Sequence, residues 1–301
     1  MSLFADHTFR TMLIGTVVIG FTAGGLGTFA YLRKQSLLAD VVSHSAIGGT
    51  MVAFIVASWF GIDGKSSWVM IVGASAVSLL AVQLVEWLPR VSATKVDAAM
   101  AIILALFFGG GMVLHRVILA GPYPNKGGLA DYLFGSASHL TSSDVVAAAT
   151  VSIITFTVAT VCFKELVIAC FDGEYAQTIG FSPKALSWVL NTVVVLSVVI
   201  GVKAVGLVLM VALAVAPPVA ARQWTRRVPS MVVLSGFFGA TGAALGSWIA
   251  VSLGRVPTGP VIVCVVTALA LISLLIAPRR SLLLMAVARR RQRPSLAGAS
   301  R

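Results

Sequence analysis

Two ionisable residues, Asp40 and His44, stand inside an otherwise apolar stretch, in the segment RKQSLLADVVSHSAIGG of residues 33–49. If this stretch is helical, the four-residue spacing places both side chains on one face, one turn apart. A carboxylate and an imidazole are costly inside a hydrophobic span unless they pair, face a wet cavity or bind an ion. One oxygen and one nitrogen ligand suit Mn²⁺, Fe²⁺ or Zn²⁺. The pair therefore predicts contact with a divalent metal ion that crosses a membrane.

A purely structural interpretation of this pair is open as well. Asp40 could pair with Arg33 or Lys34 at the helix start, while His44 bonds to a neighbouring carbonyl. If the pair binds metal, two copies facing each other across a dimer axis would supply up to four ligands, and water the remainder. An incomplete, hydrated shell suits transport, because an ion that is held too tightly would not leave.

The composition identifies the protein class. The chain has 301 residues, of which 58% are hydrophobic and 11% charged, and its mean hydropathy of +0.99 predicts an integral membrane protein. The apolar runs are each about long enough to cross 30 Å of hydrocarbon as a helix, and they lack the alternation of barrel strands. We therefore expect an all-α polytopic bundle of about nine transmembrane helices, or eight if the sixth and seventh are one. The predicted spans are 11–32, 36–60, 66–88, 94–118, 144–165, 184–201, 203–221, 230–253 and 257–277.

The net charge of +12 follows topology and not a nucleic-acid surface, because Lys and Arg lie in short loops and at the carboxyl end. With the amino terminus outside, the inner segments hold 16 basic residues and the outer segments 6. This asymmetry predicts an outside amino terminus and a cytoplasmic carboxyl terminus. We divide the chain into a transmembrane domain, 1–278, and a basic cytoplasmic tail, 279–301, that anionic lipid would attract.

The segment KELVIACFDGEYAQTIGFSP, residues 164–183, lies on the predicted cytoplasmic side between two crossings. Asp172 is placed to cap a short helix, Gly180 to end it, and Ser182 with Pro183 to start the next span. Phe171 and Tyr175 would share one side of this helix. A soluble partner could bind such a helix from the cytoplasm. Alternatively, the helix could be an amphipathic link that lies on the bilayer surface.

Several other polar residues need an assignment. His139, in the outer link of about 119–143, is a candidate for the outer mouth of an ion path. Glu86 and Asp97 are expected in a solvated inner loop around Pro89, and Lys203 is expected to extend to the membrane surface. The cysteines lack metal-binding spacing and are interpreted as packing residues. In the first span, Gly20-x-x-x-Gly24 predicts a face on which another helix packs closely.

Four segments, in the same order, resemble the permease subunits of bacterial ABC importers for manganese, zinc or iron (the ABC-3 type). They are RKQSLLADVVSHSAIGG, DYLFGS, FKELVIACFDGEYAQTIGFSP and VALAVAPPVAAR, and the resemblance spans about residues 11–277. It implies a subunit of the bacterial cytoplasmic membrane that dimerises, docks cytoplasmic ABC ATPase subunits and receives metal from an extracytoplasmic solute-binding protein. No permanently bound cofactor is implied, only the transported metal ion.

The resemblance also implies roles for individual residues. Asp40 and His44 match the Asp-x-x-x-His pair that faces the translocation path in this family. The short inner helix matches the coupling helix that enters a cleft on the ATPase. On this basis we expect ATPase contact through Glu165, Phe171, Asp172, Tyr175, Ala176 and Gly180.

Two functions fit this sequence. The first is the permease subunit of an ATP-driven importer for Mn, Zn or Fe, which is not itself an enzyme. The sequence has no GxxxxGK[ST] phosphate loop, so a separate chain would hydrolyse ATP. The alternative is a proton-coupled secondary cation transporter that works through Asp40 and His44 without an ATPase. The metal, and the choice between identical and paralogous partner permeases, stay open.

Overall fold

The computed structural model describes residues 7–277 except 125, 128, 130–134, 136, 138, 139 and 255, and this part is helical without strands. These described residues form eleven helices: α1 His7–Leu32, α2 Leu38–Trp59, α3 Ser67–Val91, α4 Val96–Ala120, α5 Ser142–Val161, α6 Phe163–Phe171, α7 Gly173–Thr178, α8 Pro183–Val205, α9 Leu207–Arg222, α10 Val228–Leu253 and α11 Thr258–Ile276.

The predicted polytopic bundle is confirmed. Eight helices are long and apolar enough to cross a membrane, and α9 is a shorter apolar helix of 16 residues. The chain breaks between α8 and α9 at Gly206, whose φ of 91° favours glycine. The adjacent sixth and seventh predicted spans are therefore separate helices. We call the end of the bundle that carries α7 the inner end, following the predicted orientation.

Helix α1 is the packing centre, and its glycine face lies against α10. A Cβ atom added at Gly20 would lie 2.6 Å from the carbonyl oxygen of Gly239, and one at Gly24 would lie 2.7 Å from the carbonyl oxygen of Ser235. The Ser235 hydroxyl also donates a hydrogen bond of 2.6 Å to the Gly24 carbonyl. The predicted small-residue face is confirmed, and it lets two backbones approach closely enough for such polar contacts.

Helix α2 packs against both α3 and α4. A Cβ atom at Gly111 of α4 would lie 2.8 Å from the backbone nitrogen of Gly48, so these two helices touch at glycine. The Ser78 hydroxyl of α3 donates to the Val42 carbonyl at 3.0 Å, which fixes the register between α2 and α3. Helix α4 is the least covered of the three. A Cβ atom added at its Gly109 would meet no heavy atom within 4 Å apart from the adjacent backbone of α4 itself.

A buried ion pair joins three helices at the outer end. The ammonium of Lys203 lies 2.5 Å from Oδ1 of Asp144, and the Ser67 hydroxyl donates to the same oxygen. The backbone N–H and the hydroxyl of Thr141 donate to Oδ2 at 2.9 and 2.7 Å. The expectation that Lys203 extends to the surface is wrong, because a carboxylate 59 residues earlier is within reach and fully hydrogen bonded.

We predict that Lys203→Met strongly destabilises the protein, because it leaves the buried Asp144 carboxylate without its counter-charge. The expected loss is about 3–5 kcal/mol, which a thermal melt of the purified protein in detergent would detect. The double variant Asp144→Asn/Lys203→Met should recover most of this loss, since it buries no charge. Equal melting temperatures for the wild type and Lys203→Met would contradict this assignment.

We also predict that Gly20→Ala destabilises the α1–α10 contact, by about 1–3 kcal/mol from overpacking. Gly109→Ala is the matched control, because it adds the same methyl group to a transmembrane helix at a position without close neighbours. The melting temperature should fall only for Gly20→Ala. An equal effect of both substitutions would show that close packing at Gly20 contributes nothing.

Candidate metal pathway and inner docking surface

The start of α2 brings the two predicted metal ligands together. Because α2 begins at Leu38, Asp40 lies in its first turn and His44 one turn later. Nδ1 of His44 is 3.0 Å from Oδ1 of Asp40 and 3.0 Å from the Asp40 backbone oxygen. The expected stacking of the two side chains is confirmed.

This geometry fixes the imidazole for binding at its other nitrogen. Both oxygens near Nδ1 are acceptors, so Nδ1 carries a proton, and the lone pair of the neutral ring is then on Nε2. Metal-binding histidines commonly donate their second N–H to a carboxylate or a carbonyl in this manner. The ring is further held by Phe108 of α4, edge to face, with 5.1 Å between centroids.

The structural alternative for this pair is only half correct. His44 does contact a backbone oxygen, but the Arg33 guanidinium lies against Glu86 and not against Asp40. The Asp40 side chain is 32% exposed and that of His44 15% exposed, so both reach the surface of the chain. Among the described residues no group of three His, Cys, Asp or Glu side chains could hold a metal ion.

The remaining histidine and cysteine predictions have different outcomes. His139 lies outside the described residues. Cys162 and Cys170 are half-buried, and Cys264 is exposed, all as free thiols. Burial raises the pKa of the Cys170 thiol to about 11, which disfavours the thiolate that a metal would need.

The inner segment folds as two short helices in place of one. Helix α6 ends at Phe171 because Asp172 is extended, with φ −152° and ψ 90°. Oδ1 of Asp172 then accepts the backbone N–H of Tyr175 at 2.9 Å and caps α7. Gly180 follows α7 with φ +91°, and Pro183 opens α8. The predicted caps are confirmed, whereas α6 was not predicted.

The six residues expected to contact an ATPase differ in exposure. Phe171 is 62% exposed and Tyr175 54%, whereas Ala176 is buried. Asp172 and Gly180 shape the ends of α7. Glu165, in the first turn of α6, has one buried carboxylate oxygen that has no hydrogen-bond partner among the described residues. Asp172 and Gly180 are exposed too, but the two aromatic rings are the largest side chains of this set that a soluble partner can reach.

Sequence reasoning missed a polar cluster at the inner end. We call it the inner polar cluster and define it as Arg33, Glu86, Ser187 and Asn191, from the end of α1, α3 and α8. Oε1 of Glu86 accepts hydrogen bonds from Ser187 at 2.8 Å and from Asn191 at 2.9 Å, and lies 3.5 Å from Arg33. Arg33 also donates to Asn191 and Ser187, each at 3.1 Å.

The expectation that Glu86 lies in a solvated loop is wrong, because α3 continues through Pro89 to Val91. The Glu86 side chain is only 17% exposed. Arg33 stands in the stretch that carries Asp40, but its partners lie 53 to 158 residues further along the chain. No local pattern could have indicated them.

Comparisons with known proteins agree with this architecture. Residues 5–277 match the ABC 3 transport family. The chain is 34% identical over 291 residues to the zinc transport system membrane protein TroC of Treponema pallidum, covering 97% of this chain and 96% of that one. It is 34% identical over 276 residues to the manganese transport system membrane protein MntC of Bacillus subtilis, covering 92% of this chain and 62% of the longer relative.

A solved structure shows the same arrangement of helices. The structure of PsaBC from Streptococcus pneumoniae in complex with Fab superposes with a TM-score of 0.81 at 29% identity, covering 94% of this chain and 97% of that chain. The match to the family extends over almost all of the described helices, from α1 to α11. This multi-pass membrane chain therefore belongs to the ABC 3 transport family.

Proposed function

We propose that this chain is the membrane-spanning permease subunit of an ATP-driven importer for the divalent ions of Mn, Zn or Fe. The observation that carries the proposal is the Asp40–His44 pair, which is assembled within α2 and reaches the surface of the chain. The family supports the transport class, and the relatives named for zinc and manganese support a transition-metal cargo.

In this proposal the transported ion is bound weakly and briefly. While Nδ1 of His44 contacts Asp40, the ligand that one chain offers is Nε2 of His44. A carboxylate oxygen of Asp40 becomes the second ligand when that contact opens. A second permease subunit would present the equivalent residues across an axis, and water would complete the shell. Because the pair alone is an incomplete site, the ion can exchange ligands and leave, which transport requires.

Coupling to ATP hydrolysis would take place through α7. The exposed rings of Phe171 and Tyr175 offer the kind of aromatic anchor that protein interfaces favour. A cytoplasmic ABC ATPase would receive this surface, and an extracytoplasmic binding protein would deliver metal at the opposite face. His139, which the sequence predicts in the outer link, stays a proposed contact of the entering ion.

The proposed orientation places the amino terminus outside and the carboxyl terminus in the cytoplasm of a bacterial cell. It is supported by the excess of basic residues in the segments at the inner end. The domain limits of 1–278 and 279–301 are part of the same proposal. The basic tail, which begins with Arg279, lies outside the described residues.

We predict that Asp40→Asn and His44→Ala each lower metal uptake about tenfold or more, because each removes a ligand or its orienting partner. The measurement is uptake of radioactive Mn²⁺ and Zn²⁺ into cells that express this chain with its ATPase and binding protein. Asp97→Asn is the matched control, since Asp97 is an exposed carboxylate in the first turn of α4. Membrane levels and ATPase binding of the variants should equal those of the wild type.

Unchanged uptake in both variants would place the metal path elsewhere in the bundle. Uptake that proceeds without the ATPase, but still requires Asp40 and His44, would favour the proton-coupled alternative. The same comparison of Mn²⁺ with Zn²⁺ identifies the preferred ion, which ligand identity alone does not decide.

We predict that Phe171→Ala and Tyr175→Ala each weaken ATPase binding by about 2 kcal/mol or more, as loss of an aromatic anchor does. The measurement is the dissociation constant of the purified ATPase from this chain in detergent. Leu253→Ala is the control. Leu253 is 67% exposed, like the two aromatic residues, but it ends α10 at the opposite end of the bundle from α7. Unchanged dissociation constants for both aromatic variants would exclude this surface as the docking site.

A further inference from the structure

The inner polar cluster lies next to the segment proposed to dock the ATPase. A cavity of about 480 Å³ is shared by the two. Its lining includes Arg33, Arg90 and Ser187, and also Gly173, Ala176 and Gln177 of the α7 region. A displacement of α7 would therefore act first on this cavity and on the residues of the inner polar cluster that line it.

A single carboxylate holds the cluster together. Glu86 of α3 receives Ser187 and Asn191 of α8 and faces Arg33, which follows α1. Asn191 is fully buried, and the side chains of Arg33 and Glu86 are less than one-fifth exposed. Buried charges of this kind seldom stabilise a protein more than well-packed apolar residues would. Stability alone need not account for this cluster, whose Arg33 and Ser187, unlike the Asp144–Lys203 pair, line the cavity beside α7.

Arg33 is also close in sequence to α2, the helix that carries Asp40 and His44, which we call the metal pair. Only five residues separate the end of α1 from the start of α2. The turn is tight: Lys34 has φ +59°, the one non-glycine residue with a positive φ in the described part of the chain. The backbone N–H of Lys34 donates to the carbonyl oxygen of Tyr31, and the backbone N–H of Gln35 donates to that of Ala30. A shift of Arg33 is thus passed to the start of α2 through a short, hydrogen-bonded turn.

The cluster lies on the inner side of the metal pair. Ser78 contacts Val42 and so marks the level of the pair on α3. Glu86 is eight residues further toward the inner end of α3, about 12 Å at 1.5 Å per residue. An ion that leaves Asp40 toward the cytoplasm would pass this level of the bundle.

We propose that Arg33 and Glu86 are positioning residues that couple the movement of α7 to the metal-binding start of α2. When the ATPase moves α7, the short link through Gly180 moves the start of α8, and Ser187 and Asn191 shift against Glu86. Arg33 follows and displaces α2, which opens the inner side of the pair. This inference rests on the proposed function, and it concerns the number of ions moved for each ATP hydrolysed.

The test uses this chain with its ATPase and binding protein in liposomes, and it measures Mn²⁺, Zn²⁺ or Fe²⁺ transported per ATP hydrolysed. Glu86→Gln should lower this ratio roughly threefold or more while hydrolysis continues. The neutral pair Arg33→Gln/Glu86→Gln is the decisive variant, because it leaves no uncompensated buried charge. We expect it to regain the wild-type melting temperature but to keep the low ratio.

Two controls separate coupling from stability. Arg226→Gln should keep the wild-type ratio, because Arg226 is an exposed basic residue between α9 and α10 that does not line the cavity. Asp144→Asn/Lys203→Met removes the buried ion pair of the opposite end and should also keep the ratio. A wild-type ratio in the neutral pair would overturn the inference alone. A wild-type complex that moves none of Mn²⁺, Zn²⁺ and Fe²⁺ would overturn the proposed function and this inference with it.

Discussion

The energetic penalty of a charge inside a hydrocarbon layer governs this structure. In the described part of the chain, three sets of paired ionisable side chains lie within or at the ends of the membrane helices. Both oxygens of Asp144 accept hydrogen bonds in the Lys203–Asp144 pair, and Oε1 of Glu86 accepts three in the Arg33–Glu86 pair. The Asp40–His44 pair is different, because the two side chains contact each other but remain partly exposed. Leaving a charge without partners in the hydrocarbon costs several kcal/mol, and in our proposal an ion from outside completes this set.

Glycine contacts determine where the saturated sets can form. Since α1 meets α10 at glycine, it lies deep in the bundle and ends where α3 and α8 can reach Arg33. Helix α2 meets α4 at Gly48 and Gly111, which places Phe108 against His44. Helix α4 in turn keeps a surface free of neighbours at Gly109. The small residues that permit close packing thereby hold Asp40 and His44 near the surface of α4 that has no neighbours.

The parts of this fold that depend on local sequence were predictable. Hydropathy located every span, the four-residue spacing located the Asp40–His44 contact, and Asp172 and Pro183 marked helix starts. The two saturated ion pairs were not predictable, since their partners are 53 and 59 residues apart and no periodicity connects them. The predicted loop around Pro89 was also wrong. A proline usually predicts the end of a helix, but α3 continues past Pro89 to Val91.

The two saturated sets differ in what adjoins them, and that difference suggests different roles. The Asp144 carboxylate binds Thr141, Ser67 and Lys203 beside a small, mostly apolar cavity of about 40 Å³ that Ile19 and Val199 also line. Arg33 and Ser187 of the inner polar cluster instead line a larger cavity of about 480 Å³, which the α7 region lines as well. An importer must keep one face closed while the other opens, so one end should resist rearrangement and the other should yield to the ATPase. A hydrogen-bonded carboxylate beside a small apolar cavity suits the first task, and a polar cluster beside a larger cavity shared with α7 suits the second.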